Sequence, residues 1–85
     1  MSIITMYSKE TCPYCIRAEQ LLQHKHVSNL IKIQIDQDPA ELEKMIARTG
    51  RRTVPQIFIG DKHIGGFDDL AALEHAGKLD KLLNN

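Results

Sequence analysis

Nothing in this sequence gives it a net charge, since 11 basic residues balance 11 acidic ones. No overall field therefore invites nucleic acid. No apolar run approaches the length of a membrane span. The stretch from Met1 to Tyr7 lacks the basic and long apolar regions of a secretory signal. Neither membrane attachment nor export is expected. Internal repeats, linkers and low-complexity segments are missing too. Cysteine is scarce, at 2 residues, with no second pair. A structural zinc site draws its ligands from two spaced pairs, and His24, His26, His63 and His75 lack the spacing to supply the second. No metal is expected. These absences leave one small domain over residues 1–85, near the lower size limit for a self-sufficient core. Its residues are 42% apolar and 26% charged, a mixture that suits a folded chain and not a disordered one. In a reducing cytoplasm, the default setting, a pair of cysteines points to catalysis more than to stapling.

Both cysteines fall in Lys9-Glu10-Thr11-Cys12-Pro13-Tyr14-Cys15, where an apolar run gives way to a helical pattern. Side chains three residues apart in a first helical turn face the same way, roughly 5–6 Å apart. A disulfide needs Cα atoms about 4.4–6.8 Å apart, so this pair can close and reopen with little backbone movement. Bridging so small a loop adds little through chain entropy. The spacing suits exchange, not stapling. The attacking species in exchange is the thiolate. Cys12 stands at a helix N-terminus, where free amides and the dipole favour negative charge. Lys9 precedes it, and the Cys15 thiol lies one turn on. Cys12 is therefore expected to titrate below a free thiol and to act as nucleophile. Cys15, on the apolar stripe, is the resolving thiol.

Ile3 to Tyr7 reads as a central strand buried on both faces. From Pro13 the pattern is helical, with Cys15, Ala18, Leu21 and Leu22 on one stripe and Ile16 stranded on the polar face. Ile31, Ile33 and Ile35 alternate with Lys32 and Gln34, as in a half-exposed edge strand. Strand, helix and strand at this spacing form a βαβ unit with parallel strands. Asp38-Pro39-Ala40-Glu41 opens a second helix. Leu42, Met45, Ile46 and Thr49 are its expected buried stripe, and Gly50 ends it. Gln56–Ile59 and Lys62–Ile64 are strands joined by a tight Gly60-Asp61 turn. Gly65-Gly66 breaks the second of these. Asp68 and Asp69 suit the start of a third helix carrying Leu70 and Leu73, with Gly77 as its stop. Leu79, Leu82 and Leu83 close a last amphipathic turn. The order is β-α-β-α-β-β-α, one α/β domain.

Three motifs now stand in sequence: Lys9-x-x-Cys12-Pro13-Tyr14-Cys15, Thr53-Val54-Pro55 and Gly65-Gly66-Phe67-Asp68-Asp69. In this order and at these separations the chain resembles the glutaredoxins, specifically the small bacterial dithiol type, over essentially its whole length. The resemblance implies a thioredoxin-like fold, a four-stranded mixed sheet flanked by helices. It implies a monomer that reduces mixed disulfides between glutathione and proteins, and some protein disulfides, with glutathione as co-substrate. It also implies a glutathione groove. Tyr14 would flank the disulfide, and Lys9 would pair with a glutathione carboxylate, aided by Arg51 or Arg52. Thr53 and Val54 would line the groove, with the Val54 main chain paired to the cysteinyl backbone. Pro55 matches the family's cis-proline. Amides around Phe67 and Asp68, next to Gly66, would receive the γ-glutamyl carboxylate, and Asp68 or Asp69 its ammonium group. One departure is Phe67, where several relatives carry an additional cysteine.

Two other functions compete. A glutathione-ligated [2Fe–2S] carrier resembles relatives with Cys-Gly-Phe-Ser more than Cys12-Pro13-Tyr14-Cys15. A redoxin served by thioredoxin reductase would have no use for the charges of Lys9, Arg51 and Asp68.

Overall fold

The computed structural model describes residues 3–84. Met1 and Ser2, part of the amino-terminal stretch discussed above, and Asn85 lie outside the described residues. The elements in chain order are β1 (Ile4–Ser8), α1 (Pro13–His24), β2 (Leu30–Gln34), α2 (Pro39–Thr49), β3 (Gln56–Ile59), β4 (Lys62–Gly65), α3 (Phe67–His75) and α4 (Leu79–Leu83). The expected order holds, with the last amphipathic turn present as the short helix α4.

The sheet runs β2-β1-β3-β4, so β1 is interior and β2 is an edge. β1 pairs parallel with β2 and antiparallel with β3, which in turn pairs antiparallel with β4. The register sets Ile4 opposite Ile59 and Met6 opposite Ile57, which places these four on one face. That face packs on Ala18 and Leu22 of α1 and Leu70 of α3, with Leu79 of α4 joining the same cluster. Tyr7 and Phe58 point to the opposite face, since successive strand side chains alternate. There they meet Met45 of α2 and Ile35. The sheet is thus a middle layer with apolar side chains on both sides.

Local chemistry explains most boundaries. Pro13 and Pro39 begin α1 and α2 where a proline loses no hydrogen bond. The Asp38 carboxylate accepts the Ala40 amide at 3.0 Å, and Gly50 closes α2 with a left-handed φ of 71°. Two expectations need correction. Within the α2 stripe only Met45 is buried, while Leu42, Ile46 and Thr49 are half-buried. The reason is that Leu42 and Met45 are the helix residues meeting the sheet in that cluster, so the stripe is narrower than its pattern. β4 also runs through Gly65 instead of ending before it, and Gly66 becomes the N-cap of α3.

Candidate active site

Cys12 is the N-cap residue of α1, so its side chain lies where the first amides of the helix lack intrahelical partners. The Cys15 amide donates to Cys12 Sγ at 3.3 Å. From the other side Cys12 Sγ lies 3.8 Å from the Val54 carbonyl, which accepts its thiol hydrogen. Cys12 is partly exposed, Cys15 is only 2% exposed, and both are free thiols. Burial pushes the Cys15 thiol up, and its hydrogen bond with Cys12 acts the same way. Contacts from the Ser8 hydroxyl and the Lys9 main chain pull in the opposite direction and do not reverse the shift. Cys15 therefore stays protonated through neutral pH. Iodoacetamide should accordingly label Cys12 first in the reduced protein, with Cys15 protected until alkaline pH. Peptide mapping of the first adduct checks this, and an adduct at Cys15, or equal labelling, would contradict it.

A cleft of about 310 Å³ lies next to this sulfur. Arg51, Thr53, Val54 and Pro55 line it from the loop that enters β3, and Gly66, Phe67, Asp68 and Asp69 from the start of α3. Gln56 at the head of β3 and Tyr14 of α1 complete the lining, the Tyr14 ring 6.1 Å from that of Phe67. The Arg17 guanidinium sits 5.3 Å from the Tyr14 ring centre. The Val54–Pro55 peptide bond is cis, and the Val54 carbonyl faces Cys12.

The two acidic residues of α3 do different things. The Asp69 carboxylate accepts the Gly66 amide at 3.0 Å and pairs with Arg51 at 3.4 Å. It caps its own helix and steadies one rim of the cleft. The ion pair is about half exposed at both ends and contributes little to stability by itself. Asp68 has no hydrogen-bond or ion-pair partner among the described residues and lines the cleft with an unengaged carboxylate. Lys9 is exposed just past β1 and does not line the cleft, and neither does Arg52. Of the paired arginines, it is Arg51 that reaches the site.

The glutaredoxin family model matches residues 4–64. The chain belongs to the glutaredoxin family. Over 98% of its length it is 55% identical to Glutaredoxin 3 of Escherichia coli, covering 99% of that protein. It is 50% identical to a glutaredoxin of Pseudomonas aeruginosa, over 99% of each chain. In three dimensions it resembles a buckwheat glutaredoxin–glutathione complex, with a TM-score of 0.89 and 35% identity. That match covers 98% of this chain and 77% of the buckwheat one. The fold is thioredoxin-like, and the chain is a thiol–disulfide oxidoreductase. A sulfur at a helix N-terminus suits attack on a disulfide, and a second thiol one turn behind it can resolve the product.

This glutaredoxin also holds site residues that its sequence did not announce. Gln56 opens β3 fully buried, and its side-chain amide bonds to Thr53 in the cleft and to His63 of β4. A polar residue directly after Thr53-Val54-Pro55, at the head of an otherwise apolar strand, was the available signal.

Proposed function

We propose that this glutaredoxin removes glutathione from protein mixed disulfides, and reduces some protein disulfides, with glutathione as the reductant. The observation that carries this reading is the position of Cys12 Sγ, 3.8 Å from the Val54 carbonyl at the mouth of the cleft. A tripeptide bound along Thr53–Pro55 would bring its own sulfur to that point. The buckwheat relative with the similar fold was solved with glutathione.

In this reading the Val54 main chain pairs with the cysteinyl backbone of glutathione, and Tyr14 flanks the disulfide. Thr53, Pro55 and Gly66 give the groove its shape, Gly66 leaving room beside the Pro55 carbonyl. Arg51 takes a carboxylate, and Lys9 approaches a carboxylate from the rim. The first amides of α3, at Phe67 and Asp68, receive the γ-glutamyl carboxylate. Asp68 receives the ammonium, because Asp69 is already engaged by Gly66 and Arg51. The Cys12 thiolate attacks the glutathione sulfur, and the protein thiolate leaves and takes up a proton. A second glutathione thiolate then attacks the Cys12–glutathione disulfide, releasing oxidised glutathione and restoring the Cys12 thiolate. For a protein disulfide, Cys12 bonds to one substrate sulfur and Cys15 displaces it, leaving a Cys12–Cys15 disulfide for glutathione to reduce.

The chain is proposed to work as a single domain over residues 1–85, as a cytoplasmic monomer, away from membranes and nucleic acid. Its balanced charge and its sparing use of cysteine, 2 residues in a single Cys-x-x-Cys pair, support this. It is further proposed to need no metal, because Cys15 offers Cys12 a competing disulfide partner within one turn. A visible absorption band in anaerobically isolated protein would favour a [2Fe–2S] carrier instead.

Charge reversal tests the groove. Asp68→Lys and Lys9→Glu should each weaken the glutathione moiety by about 1.5–3 kcal/mol, the range for a lost charge-assisted contact. Folding stability should change by less than about 1 kcal/mol, since both side chains are exposed. Steady-state kinetics with a glutathionylated peptide, beside urea denaturation, measure the two effects. Unaltered KM in both variants would overturn the proposed groove.

A further inference from the structure

Behind the cleft a chain of three polar side chains runs from β4 to the groove. His63 Nε2 and Gln56 Oε1 are 2.8 Å apart. Gln56 Nε2 donates to the Thr53 carbonyl at 3.1 Å and to Thr53 Oγ1 at 3.3 Å. Gln56 is 1% exposed, so each of its amide atoms must find a partner within the protein. The orientation follows from this. With Nε2 of Gln56 spent on Thr53, Oε1 faces His63 and can only accept, so His63 must present Nε2–H. The imidazole ring is held by Phe58, with ring centres 5.0 Å apart and planes 33° apart. Burial and the charges of Arg51 and Arg48 hold His63 towards its neutral form, against the pull of Asp69. A neutral imidazole carries a single N–H, so its place decides which way the Gln56 amide turns.

The consequence reaches the ligand. A threonine hydroxyl has one hydrogen and two lone pairs. Gln56 occupies a lone pair of Thr53 Oγ1, and among the described residues no acceptor takes its hydrogen. Thr53 is exposed and lines the cleft.

We infer that His63 and Gln56 are positioning residues, which fix the Thr53 hydroxyl as a donor to an acceptor oxygen of bound glutathione. This rests on the glutathione reading of the groove. If the Gln56 amide were reversed, its oxygen would face Thr53 and draw the hydroxyl hydrogen inward, away from the ligand. The Thr53 carbonyl would then confront a second carbonyl-type oxygen.

The test has two arms. In the first, 15N chemical shifts of the imidazole in the wild-type protein report the tautomer of His63 directly. The Nε2–H form is expected, and the Nδ1–H form would overturn the inference without any variant being made. In the second, KM for a glutathionylated peptide is measured in a double-mutant cycle. Thr53→Val and His63→Leu should each raise KM by about three- to tenfold, the range of one neutral hydrogen bond. The double variant should be no worse than Thr53→Val, because both remove the same donated hydrogen. His63→Gln, which keeps an N–H donor, should restore most of the affinity lost in His63→Leu. A purely structural role would lower thermal stability while leaving the variants additive and the glutamine unable to rescue KM. Additive effects, or an unshifted KM in His63→Leu, would overturn the relay. A wild-type protein without glutathione-dependent turnover would instead overturn the glutathione reading, and the tautomer would still test the chain of hydrogen bonds.

Discussion

Cys15→Ser is expected to keep deglutathionylation, at the wild-type rate or faster, while losing most reduction of protein disulfides. Cys12→Ser is expected to bring both reactions down to the uncatalysed rate. The difference follows from position. Cys12 caps α1 beside the cleft, partly exposed, and receives the Cys15 amide at 3.3 Å. Cys15 is buried at 2% exposure, and its thiol is pushed up by that burial, so it cannot replace Cys12 as nucleophile. In the glutathione reaction the second thiol is supplied by free glutathione. Cys15 then only diverts the enzyme into an unproductive Cys12–Cys15 disulfide, and its removal closes that path. A protein disulfide allows no such substitute, since the mixed disulfide must be resolved from one turn away. Parallel assays with a glutathionylated peptide and a disulfide-bonded protein separate the two. Full loss of deglutathionylation in a folded Cys15→Ser variant would refute the division of labour.

Gly65→Ala is expected to be the most costly single-methyl change at the site. Gly65 ends β4 at a φ of 119°, a conformation that side chains rarely adopt, and a Cβ there would run into the Asp69 carboxylate. Relief would require Asp69 to move, and with it the cap on the Gly66 amide and the pairing to Arg51. Backbone conformation at about 1–2 kcal/mol and the lost cap at about 1 kcal/mol together give a loss of about 2–3 kcal/mol. For a domain this small, that lowers Tm by roughly 10–20 °C. Gly50→Ala serves as the comparison. It has a φ of 71°, but nothing lies within 4 Å of its Cβ position, so only the backbone cost remains. Equal losses in the two variants, measured by thermal and urea unfolding, would show that the Asp69 contact does not matter.

What could be read in the sequence was chemistry with short range. Asp38-Pro39 and Gly50 bound α2 because a carboxylate, a missing amide and a left-handed turn act within a few residues. The Gly60-Asp61 hairpin and the interior position of β1 followed from turn and burial patterns of the same kind. Where the chain obeys distant neighbours, the pattern was a poorer guide. α1 ends at His24 with Lys25 as its C-cap, and His26 then takes a left-handed φ of 63° with no glycine to mark the place. Ile31 alternates correctly with Ile33 and Ile35 yet is 48% exposed, because Met45 and Leu42 of α2 cover the sheet nearer Tyr7 and Ile35. Motif order brought Tyr14, Thr53–Pro55 and Gly66–Asp69 to one cleft. The motifs could not divide labour between the acidic residues, since only the fold shows Asp69 bonded to Gly66 and Arg51. Gln56 escaped for a related reason: its partners, Thr53 and His63, meet only when β3 and β4 pair.

A coupled assay on a glutathionylated peptide tests the central claim most directly, with consumption of NADPH as its signal. One arm contains glutathione and glutathione reductase, and the other contains thioredoxin reductase without glutathione. Turnover in the first arm, dependent on Cys12, with none above background in the second, is the predicted result. Turnover through thioredoxin reductase with none through glutathione would contradict the assigned function, and with it the role given to the cleft beside Cys12.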